Sequence, residues 1–175
     1  MPADLAQPEA GKHLYQQVKD AGLEIDAVHR FAATLPPDYV DDWLSVADDE
    51  ARRRLVPSKT TLLGLVKHAT FVEGVWFDQA ITGRSYADVG IAATVDGSFT
   101  LRKGDTIATV RAAYRERWEV SRRNLAGLRS DDIVDGRGAR PVWALQLQVL
   151  RELAQHCGHA DILREQVLAS RPTSA

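Results

Sequence analysis

Apolar residues along the chain recur every three or four positions, and two-residue alternation is nearly absent, so the pattern is helical throughout. Leu14, Val18, Ala21, Ile25, Val28, Ala32 and Leu35 mark a first long helix, closed by Pro36 and Pro37. Residues 38–56 turn from acidic to basic with only short apolar groups, which predicts a connector carrying one short helix. Ser58 follows Pro57 and precedes an apolar run, so it reads as the N-cap of a second helix from Thr61 to Ala80 that stops near Gly83. Residues 83–104 hold four glycines and few periodic apolar positions, the signature of a long crossing connection. Asp105 is placed to cap a third helix with Ile107, Val110, Tyr114, Ser121, Leu125 and Leu128 on one side and Gly127 near its end. A Gly- and charge-rich turn over 131–140 leads to Pro141, which suits the first turn of a fourth helix running to about Ala169. Residues 170–175 read as a frayed tail. Four long helices joined this way predict one all-α domain, a four-helix bundle with a long crossover between helices 2 and 3 and a core over about residues 10–169.

Composition narrows the class without changing that picture. At 175 residues the chain suits one core, and 45% hydrophobic with 26% charged residues is ordinary for a globular domain. A net charge of −2 offers no electrostatic attraction for nucleic acid or an anionic membrane. The basic run Arg52-Arg53-Arg54 lies beside Asp48, Asp49 and Glu50 and reads as a solvated, self-neutralising face. One cysteine, Cys157, rules out an intramolecular disulfide, which fits a reducing compartment. With no apolar h-region after Met1 and no stretch of ~20 apolar residues, a cytoplasmic location is expected.

Chemistry concentrates on the fourth helix. With ~100° between successive residues, His156 falls ~40° from Glu152, His159 ~20° to the other side, and Leu145 and Leu163 ~20° away. Polar groups thus share the apolar stripe, and a carboxylate there needs a partner or a cation. Glu152 and His156, one turn apart, can hold one ion, although a plain buried ion pair would carry the same spacing. On the second helix His68 shares its sector with Thr61, Leu65, Val72 and Val75 and is the third candidate, or else a hydrogen-bonded core histidine. Two imidazoles and one carboxylate suit zinc first, with nickel or iron as alternatives, and leave a coordination position open for catalysis. His159 is read first as a catalytic outer partner that orients a ligand or moves a proton, with an alternative ligand or a helix-to-helix hydrogen bond as the other readings. Cys157, ~140° from Glu152, reads as packing, Trp76, Phe77 and Trp143 read as core or pocket rim, and His13 and His29 are assigned to the surface. H-E-x-x-H, C-x-x-C, G-x-S-x-G and P-loop motifs are absent, and so are the E-x-x-H pairs of di-metal bundles.

Two stretches resemble a known group. Pro57-Ser58-Lys59-Thr60-Thr61-Leu62-Leu63-Gly64-Leu65-Val66-Lys67-His68, followed by Glu73 and Trp76-Phe77, is similar to the second helix of a DinB-like subfamily. Glu152 to Glu165, with its His-Cys-Gly-His-Ala-Asp-Ile-Leu-Arg-Glu close, resembles the same group's last helix. The resemblance spans about Arg53 to Leu168 and does not extend over the first fifty residues. The superfamily includes mycothiol-dependent maleylpyruvate isomerase and thiol S-transferases. There a histidine of the second helix and a Glu-x-x-x-His of the fourth bind a divalent metal, usually zinc, positions matched here by His68, Glu152 and His156. Relatives often carry His or Met on the turn before that glutamate, where this chain has Gln148 and Val149. The resemblance implies an S-transferase or isomerase that uses a low-molecular-weight thiol such as mycothiol on a small electrophile, and a homodimer. A metal-dependent hydrolase and a non-catalytic, metal-stapled helical protein are the alternatives.

Overall fold

The computed structural model describes residues 37–172. The expected first helix, His13, His29 and the last three residues lie outside that range. Short helices α1 (Pro37–Trp43) and α2 (Asp48–Ala51) open the described chain, two where the sequence pattern led us to expect one. Helix α3 runs Leu62–Gly74, widens into a π turn over Val75–Gln79 and closes at Ala80–Thr82. The crossover carries α4 (Tyr86–Val89) and α5 (Val95–Ser98). Helix α6 spans Ile107–Leu125. A two-stranded antiparallel hairpin, β1 (Ile133–Val134) and β2 (Arg140–Pro141), forms within the turn expected over 131–140. Helix α7 runs Val142–Ala169 with Pro141 as its N-cap. The described residues are thus mostly helical, with this small hairpin as their one sheet, and the long crossover lies between α3 and α6, as expected.

Two caps differ from the sequence reading. Thr61, not Ser58, caps α3: its Oγ1 accepts the Gly64 N–H at 2.9 Å, whereas the Ser58 hydroxyl turns to Thr60. Thr106, not Asp105, caps α6 through the Thr109 N–H. The Asp105 carboxylate instead accepts the Arg102 N–H and the Lys67 ammonium, each at 2.6 Å, because the crossover must be fastened where it returns to α3. The arginine run is self-neutralising only through Arg53, whose charge helps hold Glu50 ionised. Arg52 donates to the carbonyls of Asp105 and Arg102, and Arg54 to those of Pro57 and Ser58. Glu50 pairs with Arg171, and Asp48 accepts the Ile107 N–H. Backbone groups exposed at the loop ends attract these side chains more strongly than their sequence neighbours do.

Helix α3 is the centre of the described residues. Leu62, Leu63, Leu65, Val66, Ala69, Phe71, Val72, Val75 and Phe77 are all buried, too many for one stripe, because α6, α7 and the crossover pack around it. In the π turn the Asn124 amide donates to the Phe77 carbonyl, and the fully buried Asp78 is paired with Arg84 and Arg117. Gly83 ends the helix at φ 73°, the left-handed conformation that favours glycine. The hairpin is pinned to this end: Gly136 N–H donates to Ala80 O, and Gln79 Nε2 to Gly136 O. A Cβ on Gly136 would strike backbone atoms of Gln79, Ala80 and Gly83. Since α7 begins six residues beyond Gly136, it runs back along α3, and its middle meets the middle of α3.

Candidate metal centre

His68 sits two turns into α3 and is 3% exposed. The crossover wraps the ring. Phe99 stacks on it with centroids 4.0 Å apart, and Phe71 lies 5.9 Å away on α3. Nδ1 is 2.7 Å from the Ser98 hydroxyl, whose own proton goes to the Val95 carbonyl at 2.5 Å. Lys67, the residue before His68, fastens the same segment through Thr100 O and Asp105, and Lys59 pairs with Asp96.

Helix α7 supplies the other two groups. Its buried line is Leu145, Val149, Leu153, His156, Ala160, Leu163 and Val167, spaced three or four apart. Glu152 stands at the edge of that line, its side chain 27% exposed, and His159 is exposed beyond it. The sequence reading had centred the stripe on Glu152. The structure centres it nearer Leu153 and His156, since α7 turns that face toward α3 and α1. Glu152 Oε2 lies 3.9 Å from His156 Nε2, and Oε1 accepts Gln148 Nε2 at 2.9 Å. Arg151 donates to Gln148 Oε1 at 2.7 Å and so fixes which way that amide faces. His156 Nδ1 is 3.3 Å from His159 Nδ1. The rings of His68 and His156 meet edge to face, 4.7 Å between centroids.

His68, Glu152 and His156 therefore converge: one ligand atom from each lies within 4.8 Å of the others. Tetrahedral bonds of ~2.1 Å place ligand atoms ~3.4 Å apart, so side-chain closure of roughly an ångström would seat a divalent ion. Burial pushes the His68 ring down to about 4, helped by the neighbouring His156. His156 is lowered too, by burial and then by His159, against the pull of Glu152. Near neutral pH both rings are uncharged and keep a lone pair to give, so the donor set fits a borderline cation.

Of the remaining candidates, Cys157 packs part-buried against the core, and burial pushes its thiol up, away from the thiolate form. Phe77 is core, but Trp76 is only part-buried beneath the guanidinium groups of Arg137 and Arg140. Trp143, expected to pack, is 49% exposed on the side of α7 turned from the buried line. Ser98 and Phe99 escaped the sequence reading, since they lie in a connection without periodicity. Thr94, which caps α5 through the Gly97 N–H, was the only local cue to a helix there.

A family model described as mycothiol-S-transferase matches residues 43–169, well over half the chain and including all three converging side chains. No curated protein and no solved structure gives a significant match.

Proposed function

From the premise that the chain belongs to the mycothiol-S-transferase family, we propose that it is a metal-dependent enzyme that joins a mycothiol-type thiol to a small electrophile. The observation that carries this reading is the convergence of His68, Glu152 and His156 from two helices, all within 4.8 Å. These three side chains would hold one divalent ion, zinc first by donor type, with nickel or iron as alternatives. When bound, such an ion acidifies a thiol entering the open position, so that it reacts as a thiolate near neutral pH.

The chain's own residues prepare that position. Burial keeps the His68 and His156 rings neutral, so they donate lone pairs without first losing protons. Gln148, oriented by Arg151, holds one oxygen of Glu152 and leaves the other toward His156. Phe71 and Phe99 exclude water from one side of His68, which strengthens every charge interaction there. For His156 to offer Nε2, its Nδ1 carries the proton, and the His159 Nδ1 beside it accepts that hydrogen bond. His159 is therefore assigned to orienting His156; its Nδ1 lone pair is occupied, so it is not the base that takes the thiol proton. That proton would leave to solvent at the Glu152 and His159 edge, and the sulfur would bond to the electrophilic carbon as that carbon's bond to its leaving group breaks, the leaving group departing with the electron pair. A thiol cosubstrate belongs to the reducing cell interior, which is consistent with a cytoplasmic location, and the homodimer implied by the resemblance is part of the same proposal.

Elemental analysis joined to a conjugation assay tests the reading. The wild type should carry about one divalent ion per chain, His68→Ala should lose it, and Glu152→Gln should transfer mycothiol to electrophiles at least ~100-fold more slowly while folded. A wild type that binds no zinc, nickel or iron, or a Glu152→Gln variant with full activity, would sink it. Stoichiometric metal without turnover across a panel of electrophiles would favour the metal-stapled, non-catalytic alternative.

A further inference from the structure

Ser98 is a hydroxyl with 3% exposure inside a crossover that is otherwise mostly solvated. It closes the four-residue helix α5, and its proton is committed to the Val95 carbonyl at 2.5 Å. A serine hydroxyl has one proton to give and two lone pairs. With that proton committed, the oxygen can only accept from His68 Nδ1, 2.7 Å away. The nitrogen must then carry hydrogen, which in a neutral imidazole leaves Nε2 as the bare lone pair. Phe99, the next residue, lies against the face of the same ring at 15° between planes. Two consecutive residues thus set both properties that a ligating histidine needs, its tautomer and its ring plane. They are held there by Lys59 on Asp96 and by Lys67 on Thr100 O.

We infer that Ser98 is a positioning residue for metal capture: its hydroxyl holds His68 as the Nδ1–H tautomer, so that Nε2 faces Glu152 and His156 before any ion arrives. This rests on the metal reading above, and it adds that the crossover, which supplies no ligand, determines how tightly the ion is held. The two α7 ligands have their own outer partners in Gln148 and His159, so loss of Ser98 weakens one arm of the site and leaves two intact.

The experiment compares wild type, S98A and S98T in two readouts. Zinc affinity is measured by competition with a chromophoric chelator. The His68 tautomer is read from long-range 15N–1H spectra of the metal-free, histidine-labelled protein, with the His68 signals identified by their loss in His68→Ala. S98A is expected to bind zinc about 10- to 100-fold more weakly, the usual scale for an outer partner of a ligating histidine, and to shift His68 toward a mixture of tautomers. S98T, which keeps the hydroxyl, should restore the Nδ1–H form and most of the affinity. Zinc binding within twofold of wild type in S98A overturns the inference. So does weaker binding with an unchanged tautomer, because the side chain would then act through packing alone. If the wild type takes up no zinc, the metal reading fails, while the tautomer comparison still decides whether Ser98 holds the ring.

Discussion

Glu73 is a carboxylic acid sealed inside the bundle, and replacing it with glutamine measures what its burial does to stability. The side chain is 0% exposed between α3 and α6. Tyr114 donates to Oε1 at 3.3 Å, while Oε2 makes no hydrogen bond and Ser121 lies close by without a well-formed one. Arg117, whose charge acts on Glu73, is engaged by Asp78 and the Val89 carbonyl. Burial outweighs these partners and pushes the acid up to about 7 from an ordinary 4.5. Between those values the unfolded chain has ionised Glu73 and the folded chain has not, so the folded state binds more protons and stability falls as pH rises. At ~1.4 kcal/mol per pH unit the full loss is about 3 kcal/mol, complete above pH 7 and absent below 4.5. Glutamine keeps the shape and cannot ionise. Urea unfolding of wild type and Glu73→Gln at pH 4.5, 6 and 8, both with chelator, should show the variant gaining on the wild type by about 3 kcal/mol across that range. His68, whose folded value is depressed to about 4, acts in the opposite sense: its stabilisation is present above 6.5 and lost as pH falls toward 4. Both proteins share that contribution, so it cancels in the difference. Parallel stability curves would refute the reasoning and mean that Arg117 holds Glu73 ionised within the fold.

Two substitutions test the local structure around the site. Thr61→Ala should cost about 1 kcal/mol by chemical denaturation because it strips the cap from α3, whereas Ser58→Ala should stay within about 0.5 kcal/mol; the reverse order would restore Ser58 as the cap. Gly136→Ala forces backbone apart where the hairpin meets the end of α3, so thermal unfolding should show a loss of roughly 2 kcal/mol, and an unchanged midpoint would mean the hairpin is not seated there.

The helical class, the long crossover, the span of α7 and the three candidate ligands were legible in the chain itself. Helix periodicity is a local property, and Glu152 and His156 are neighbours on one helix whatever surrounds it. His68 could be named because a histidine amid Leu65, Val72 and Val75 is conspicuous, and because its motif resembled a known group. What the pattern could not supply was anything that depends on a second element. The true caps at Thr61 and Thr106 differ from the expected ones by one to three residues, since loop geometry decided which hydroxyl reached the free N–H groups. The π turn arises where Asn124 and the arginines on Asp78 offer partners from outside the helix. Trp143 is exposed and Glu152 lies at the edge of the buried face because α7 is rotated to meet α3 and α1 together, and no single-helix pattern specifies that rotation. Ser98 lies thirty residues beyond His68 and reaches it from a connection without periodicity. Spacing along one helix is written in the order of its residues; contact between segments is a sum over the whole packed molecule, and only the folded chain performs that sum.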